Sequence, residues 1–536
     1  MAGRDFEGQE GDMLLHELLE KHAAKDAGKE AIVFHDRRIT YGEYLDKVTA
    51  VAASMAALGV KRGDHVALYQ NNSPEYVFCY IAAASLGACA VPVSNRFAEL
   101  EAGFIVNNSD STFMVTAEGF GGIDFIDVVT KIKPSCPKLK TIAVLGEADQ
   151  VARIEGAVAA SEFFEPPTPE KLAKLKEARS IVDEDDTAFM VYTSGTTGVP
   201  KGAELTHKNL VSYTDGQLDA MGVTSDDRLL LDIPVNHVGG GVMAIISMLN
   251  AGGTLVILDQ FVPQEVLQTI QDEKITVTGQ VPAQYIIVMM QPDLDSYDLS
   301  SVKAAVVAAA PSPKELFGKA KEKMGVYLTN GYGLSECSGA ITFTRVNEDS
   351  YERLSTSIGK ANKGIDVSIL DPEGMHLPPG EPGEISIKGD AVMKGYYNRP
   401  DETAIVMTDD GYFRTGDMGT LDEDGYVYIL GRKKEMYIRG GENVYPPEVE
   451  DVLQEHPVVL FSAVIGIPDP VMGEVGRAYI VPMPGVEPPP SEEDIKKWCA
   501  ERLAKYKVPS EVVFRDALPL TPLGKVMKKE LYQELS

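Results

Sequence analysis

Short apolar runs recur through the first two thirds of the chain, at 188–192, 229–232, 254–258, 304–308 and 325–329, with helical stretches between them. Runs this short and this uniformly apolar suit strands covered on both faces. Strands that alternate with helices are joined by crossovers, so the pattern predicts an α/β fold built on parallel sheets. Upstream, Thr40-x-x-Glu43 has the form of a capping box, followed by Leu45, Val48, Ala52 and Met55 on one helical face and Gly59 beyond the end. His65–Tyr69 reads as a strand, and another follows near Ala90–Val93 after an apolar helix.

The texture changes near residue 360. The runs Asp366–Leu370, Glu384–Lys388 and Tyr426–Leu430 are separated by Gly, Pro and Asp turns, which predicts a small antiparallel β piece over 360–433. From 434 a mixed α+β pattern runs to residue 536, close to the usual size of a domain. Within it, residues 484–490 form a stiff Pro-rich loop ahead of a helix capped by Ser491-x-x-Asp494. The predicted division is a large N-terminal domain, 1–433, and a smaller, mobile C-terminal domain, 434–536.

A length of 536 residues agrees with more than one core. A net charge of −30 argues against nucleic acid or anionic membrane as the main partner, since phosphate backbones need clustered Lys and Arg. Five cysteines show neither paired nor metal-ligand spacing, as expected in a reducing compartment. The apolar stretch Val77–Val93 contains Gly87 and Pro92 and falls short of the roughly 20 residues of a membrane span, and the polar N-terminus does not resemble a signal peptide. A cytoplasmic location is expected, without an integral membrane segment. An acidic chain that handled polyanions would have to build local positive potential.

One segment does so. In Tyr192-Thr-Ser-Gly-Thr-Thr-Gly-Val-Pro-Lys-Gly202, small residues let backbone amides approach an anion. Thr193, Ser194, Thr196 and Thr197 add hydroxyls, Gly195 and Gly198 add room, and Lys201 adds charge. The inventory suits a polyphosphate, but the spacing is not that of a Walker A loop. Asn330-Gly-Tyr-Gly-Leu-Ser-Glu336 follows an apolar run, where ligands of open α/β sheets gather. Tyr332 offers a flat face to a purine, Ser335 a hydroxyl, and Glu336 a hard oxygen ligand for Mg²⁺. Asp417, in Tyr412-Phe-Arg-Thr-Gly-Asp417, can accept both hydrogen bonds of a ribose diol, and Arg432 can steady the nucleotide. Taken alone, a TGD string is a turn and a Glu on a turn is solvated.

Together these strings resemble the adenylate-forming superfamily of acyl-CoA synthetases, peptide-synthetase adenylation domains and firefly luciferases, in motif order and spacing from about residue 12 onward. The resemblance implies that 193–201 binds phosphates, that Asn330, Gly331, Tyr332, Gly333 and Ser335 border adenine with Glu336 holding the metal, and that Asp417 and Arg432 grip ribose. Ala309 and Ala310, in Val307-Ala-Ala-Ala-Pro311, fall where relatives place a small strand end beside adenine, although many relatives carry Gly where Ala308 stands here. It further implies a hinge at Lys434, a mobile loop at Gly440 and Gly441 that lines the CoA tunnel, and a Lys525 that bridges the substrate carboxylate and the α-phosphate. His237 matches a gate beside the reacting carboxylate. Gly239, Gly240 and Gly241 are expected to leave room for an acyl chain, with Val281, Ala283, Ala340 and Ile341 completing the wall.

The implied reaction is acyl-AMP formation from ATP and a carboxylic acid, then transfer to CoA. It needs no protein nucleophile, and no Ser-His-Asp or Cys-His arrangement stands out. With no cation placed for a second carboxylate, a hydrophobic monocarboxylate is the expected acid: a medium- or long-chain fatty acid, or a cyclic or aromatic one. Transfer to a carrier protein uses the same motifs and is the alternative. A kinase-like phosphotransferase would yield ADP, and a non-catalytic sensor would be expected to lack Lys525, Asp417 or Glu336. A homodimer is compatible with the sequence.

Overall fold

The computed structural model describes residues 13–193, 199–485, 490–520 and 526–535. Two large sheets carry the N-terminal part. The first has nine strands, in the order Lys360–Ala361, Gly339–Phe343, Leu328–Leu334, Ala304–Ala308, Val277–Gln280, Arg228–Leu231, Thr254–Ile257, Glu30–Phe34 and Arg37–Thr40. The second has eight, from Gly395–Tyr396 through Lys201–Thr206, Thr187–Thr193, Cys89–Pro92 and His65–Tyr69 to Phe113–Ala117, Thr141–Leu145 and Val158–Ala159. Their centres are parallel, as the alternation predicts, but antiparallel strands close edges of both sheets. These are mixed sheets, and the antiparallel pairs matter most for the site.

One hydrophobic core joins the two sheets. It takes Leu229, Leu231, Leu255 and Ile257 from the first, Val66, Leu68, Ala90 and Phe189 from the second, and the faces of Tyr41–Ala57 and Pro74–Ala84. The capping box at Thr40 forms as expected, its hydroxyl accepting the Glu43 N–H at 3.2 Å. Pro74–Ala84 is buried at every residue but Glu75, which explains why its sequence shows no polar face.

The four-stranded antiparallel sheet Ile365–Leu370, Gly383–Gly389, Phe413–Leu421 and Val427–Arg432 follows. Past it, a five-stranded sheet of Glu442–Val444, Tyr437–Arg439, Gly473–Pro482, Val459–Asp469 and Glu511–Phe514 packs against Pro446–Gln454 and Glu492–Ala500. Its two core clusters contain only residues from Tyr437 onward, while the clusters before it end at Val427. No helix among the described residues is long and apolar enough to cross a membrane.

Candidate functional site

The 193–201 string begins and ends on two paired strands. Thr187–Thr193 runs parallel to Cys89–Pro92, so its carboxyl end opens on the side where α/β sheets bind ligands. The chain returns antiparallel along Lys201–Thr206, with Thr193 opposite Lys201. Ser194, Gly195, Thr196, Thr197 and Gly198 lie outside the described residues. Lys201 therefore belongs to a strand, directly opposite Thr193. Its Nζ lies 2.5 Å from Glu402 Oε2 and 4.7 Å from the centre of the Tyr396 ring, with 11% of the side chain exposed.

Glu336 reaches the same place from the first sheet, in the turn that follows Leu328–Leu334, and is buried. Its Oε1 accepts the Tyr396 hydroxyl at 2.8 Å and the Thr193 hydroxyl at 3.5 Å. Burial first, and then the Glu336 carboxylate, push the Tyr396 phenol far above its ordinary pKa, so it stays a donor. The Met393 N–H donates to the Glu336 carbonyl at 2.7 Å and holds the turn.

Asp417 and Arg432 sit opposite each other on neighbouring strands. Arg432 donates from Nε to Asp417 Oδ1 at 2.7 Å, and Tyr332 donates its hydroxyl to Oδ2 at 2.7 Å. Asp417 is 2% exposed whereas the Arg432 side chain is 39% exposed. A buried carboxylate with a donor on each oxygen is desolvated but satisfied, and the guanidinium keeps an open flank. Tyr332 thus ties the nine-stranded sheet to the four-stranded one. Burial, followed by Asp417, holds its phenol well above the usual range.

Other residues of these motifs have different surroundings. The Asn330 side-chain amide donates to the Ser357 carbonyl at 3.0 Å, bracing strand against loop. A β-carbon on Gly331 would lie 2.8 Å from the Phe343 ring, and one on Gly333 would meet the backbone at Gly339–Ala340. The strand runs on through Leu334, so these residues are strand rather than turn. Ser335 is buried beside Glu336. Ala309 and Ala310 leave the end of Ala304–Ala308, whose neighbour is the Tyr332 strand. Ala309 holds φ +72°, a left-handed geometry that is strained for an L-residue.

His237 accepts the Gly239 N–H on Nδ1 at 3.2 Å, so when the ring is neutral its proton sits on Nε2. Gly239–Ile246 is a π-helical stretch. Here the surroundings of the expected acyl-wall residues differ from one another. A β-carbon would stand 2.5 Å from the Pro234 carbonyl oxygen at Gly240 and 2.8 Å from the Phe189 ring at Gly241, so in that direction both glycines lie against protein. A β-carbon on Gly239 would lie 2.9 Å from Ile233 Cδ1. Ala340 and Ile341 do not share a wall. Tyr332 pairs with Thr342 and Gly333 with Ala340, so Ile341 is bulged out of register. Ala340 packs with Val306, Phe343, Met221 and Met243, while Ile341 is sealed in the central core. Val281 and Ala283 are half-buried at the start of Pro282–Met289.

Lys434 is exposed between the last strand of the four-stranded sheet and the first of the C-terminal sheet. Gly440 and Gly441, at φ +61° and +93°, form the two-residue turn of the hairpin Tyr437–Arg439/Glu442–Val444, where both positions need left-handed backbone. Lys525 lies outside the described residues. Close by, Lys528 pairs with Glu450 at 2.8 Å and Glu435 at 3.1 Å.

Sequence reasoning missed Tyr396 and Glu402. They arrive on Gly395–Tyr396 and the helix after it, and that short strand pairs with Lys201–Thr206 from nearly two hundred residues away. Nothing local in Gly395-Tyr-Tyr-Asn398 signals this.

The family described as AMP-binding enzyme matches residues 19–397, and the AMP-binding enzyme C-terminal domain matches 448–525. The 3-[(3aS,4S,7aS)-7a-methyl-1,5-dioxo-octahydro-1H-inden-4-yl]propanoyl:CoA ligase of Rhodococcus jostii is 36% identical, over 96% of this chain and 97% of its own. The long-chain-fatty-acid–CoA ligase FadD13 of Mycobacterium tuberculosis is 35% identical, over 94% of each. Among solved structures, the anthranilate CoA ligase AuaEII in complex with anthranoyl-AMP superposes with a TM-score of 0.87 at 26% identity, covering 98% of both chains.

Proposed function

The chain belongs to the AMP-binding enzyme family as an AMP-forming acid–thiol ligase, and from that premise we propose that it joins a hydrophobic monocarboxylic acid to CoA in two steps. A carboxylate oxygen attacks the α-phosphorus of ATP, the bond to the pyrophosphate oxygen breaks, and acyl-AMP and pyrophosphate form. The CoA thiol, as thiolate, then attacks the acyl carbon, and AMP leaves with the electrons of the broken carbon–oxygen bond. The relatives that act on a fatty acid and on a bulky alicyclic propanoate support an apolar acid.

The observation that carries the proposal is the meeting of Thr193, Lys201, Glu336 and Tyr396 at the base of the phosphate loop. The Lys201 ammonium is already largely desolvated and held by Glu402 and the Tyr396 face, so little reorganisation separates it from an incoming phosphate oxygen. Across the cleft, Asp417, oriented by Tyr332 and Arg432, takes the ribose hydroxyls on its remaining lone pairs, and the open flank of Arg432 meets phosphate. Tyr332 and the 309–310 strand end border adenine. His237 directs its Nε2 proton toward the carboxylate being activated. Lys525 bridges that carboxylate and the α-phosphate.

Among the described residues no three His, Cys, Asp or Glu converge as a metal cage. Mg²⁺ does not require one, because it takes one or two carboxylates together with substrate phosphates and water. Glu336 fits that demand, as a buried carboxylate aimed by two hydroxyls. The ion would supply charge neutralisation on the departing pyrophosphate.

Exchange of labelled pyrophosphate into ATP across a panel of acids tests the first step, and CoA-dependent release of AMP tests the second. Exchange with at least one apolar acid is expected. Its absence with every acid refutes adenylate formation, and AMP release that needs a carrier protein in place of CoA refutes the acceptor.

A further inference from the structure

We propose that Tyr396 is a positioning residue that joins the two charges of the phosphate site. Its ring carries the Lys201 ammonium and its hydroxyl aims the Glu336 carboxylate, so that metal and polyphosphate bind there as coupled ligands. The inference rests on the reaction proposed above, in which Lys201 takes phosphate and Glu336 takes Mg²⁺.

Strand pairing brings Tyr396 to this place. Gly395–Tyr396 runs antiparallel to Lys201–Thr206, with Tyr396 opposite Ala203. Lys201 and Ala203 are two residues apart, so their side chains leave the same face of the strand, and Lys201 is the diagonal neighbour of Tyr396. A long side chain and an aromatic ring reach each other across that diagonal, and the ammonium comes to 4.7 Å from the ring centre. The short strand is also pinned at each residue around the ring. The Lys394 N–H donates to the Glu204 carbonyl at 2.9 Å, the Tyr397 N–H to the Gly202 carbonyl at 2.8 Å, and the Tyr396 N–H to the Thr403 hydroxyl at 2.9 Å. With the residue 8% exposed, the ring has little freedom to follow either charge.

The two ends of the side chain do different work. The ring face attracts the ammonium through its quadrupole, more strongly where water is kept away, and the Lys201 side chain is 11% exposed. The hydroxyl donates to Glu336 Oε1 at 2.8 Å, the same oxygen that the Thr193 hydroxyl approaches. Two donors on one oxygen fix the rotation of the carboxylate and leave Oε2 for an incoming ion. Such partners orient a metal ligand before the metal arrives. Phenylalanine at 396 keeps the first function and loses the second, whereas leucine loses both.

The test compares Tyr396→Phe and Tyr396→Leu with wild type by calorimetry of α,β-methylene-ATP, with and without Mg²⁺ and with no acid present, so that binding is read without turnover. Wild type is expected to bind this analogue more tightly with Mg²⁺. Tyr396→Phe should lose about 10-fold of the affinity measured with Mg²⁺, the lower end of what removing a metal ligand's partner costs, while metal-free affinity changes little. Tyr396→Leu should lose metal-free affinity as well, by about 5-fold. The Mg²⁺ concentration giving half-maximal pyrophosphate exchange should rise about 10-fold in Tyr396→Phe. A Mg²⁺ dependence in Tyr396→Phe equal to that of wild type, an equal loss with and without Mg²⁺, or a wild type indifferent to Mg²⁺ overturns the inference. If Tyr396→Leu does not fold, Tyr396→Phe decides alone, because it removes a single hydroxyl. The expected calorimetry together with no pyrophosphate exchange by wild type would uphold the coupling and refute the reaction instead.

Discussion

Asp232 shows how one residue can set a pH response. It follows Arg228–Leu231, is 3% exposed, and accepts the Gln280 amide on Oδ2 at 2.5 Å, while Oδ1 has no partner among the described residues. Burial, the dominant cause, outweighs the Gln280 bond and pushes its carboxyl up to about 7. The folded value therefore lies above that of the unfolded chain, about 3.9. Between pH 4 and 7 the unfolded chain gives up this proton and the folded chain keeps it, so stability falls as pH rises through that window and levels off above it. Three pKa units correspond to about 4 kcal/mol. Asp232→Asn keeps an acceptor for Gln280 and should gain on wild type between pH 4.5 and 8, read by urea unfolding. Parallel profiles would contradict it.

At the scale of elements, the paired strands Thr187–Thr193 and Lys201–Thr206 and the π-helix place Lys201 and His237. The second of these strands returns along the apolar first, and its first residue is Lys201. The π-helix sits hard against Pro234, Val235 and Phe189 because Gly240 and Gly241 lack side chains, which fixes where His237 leaves the backbone. Gly240→Ala is expected to destabilise the protein by about 1–3 kcal/mol through overpacking and to reduce turnover for all acids alike. An acid-selective loss would contradict the packing role and point to a lining role. Of these elements, the strands and the 40–59 helix were legible because each carries its own periodicity and caps. The π-helix was not, because three glycines in a row read equally well as space and as close contact. Which of the two holds depends on Pro234 and Phe189, and only the folded chain brings Phe189 there.

In the whole molecule, two cores separate between Val427 and Tyr437, and the proposed hinge Lys434 lies in that interval. Two reactions in one cleft need two arrangements, and rotation of the C-terminal part would exchange the Lys525 loop for the 440–441 hairpin. Lys434→Pro is expected to slow thioester formation more than pyrophosphate exchange, and Lys525→Ala to abolish exchange while transfer from supplied acyl-AMP persists. Equal loss of both half-reactions in either variant refutes the rotation.

The N-terminal helix is anchored differently. The Leu15 N–H donates to His207 Nδ1 at 3.2 Å, and His16 lies buried nearby. Burial above all lowers His207 to about 4 and His16 to about 3. Both stay neutral in the folded state, and an unfolded histidine titrates near 6.5, so their share of stability is complete above about pH 6.5 and is lost as pH falls toward 4. His207→Gln, which keeps an acceptor, should weaken the acid dependence of the melting temperature between pH 6.5 and 4.5. An unchanged slope would refute this.

By itself, the sequence determined the central strands and the capped helices, their α/β order, and the strings at 193–201, 330–336 and 412–417, because caps, alternation and small-residue loops are properties of neighbours along the chain. It also determined that an acidic protein keeps cations at Lys201 and Arg432. Tertiary structure alone decided what those cations face. Glu402 and Tyr396 reach Lys201 through strand pairing across nearly two hundred residues, and Tyr332 reaches Asp417 from another sheet. A glycine's missing side chain is a cavity only when nothing else fills it, and what fills it comes from elsewhere in the fold.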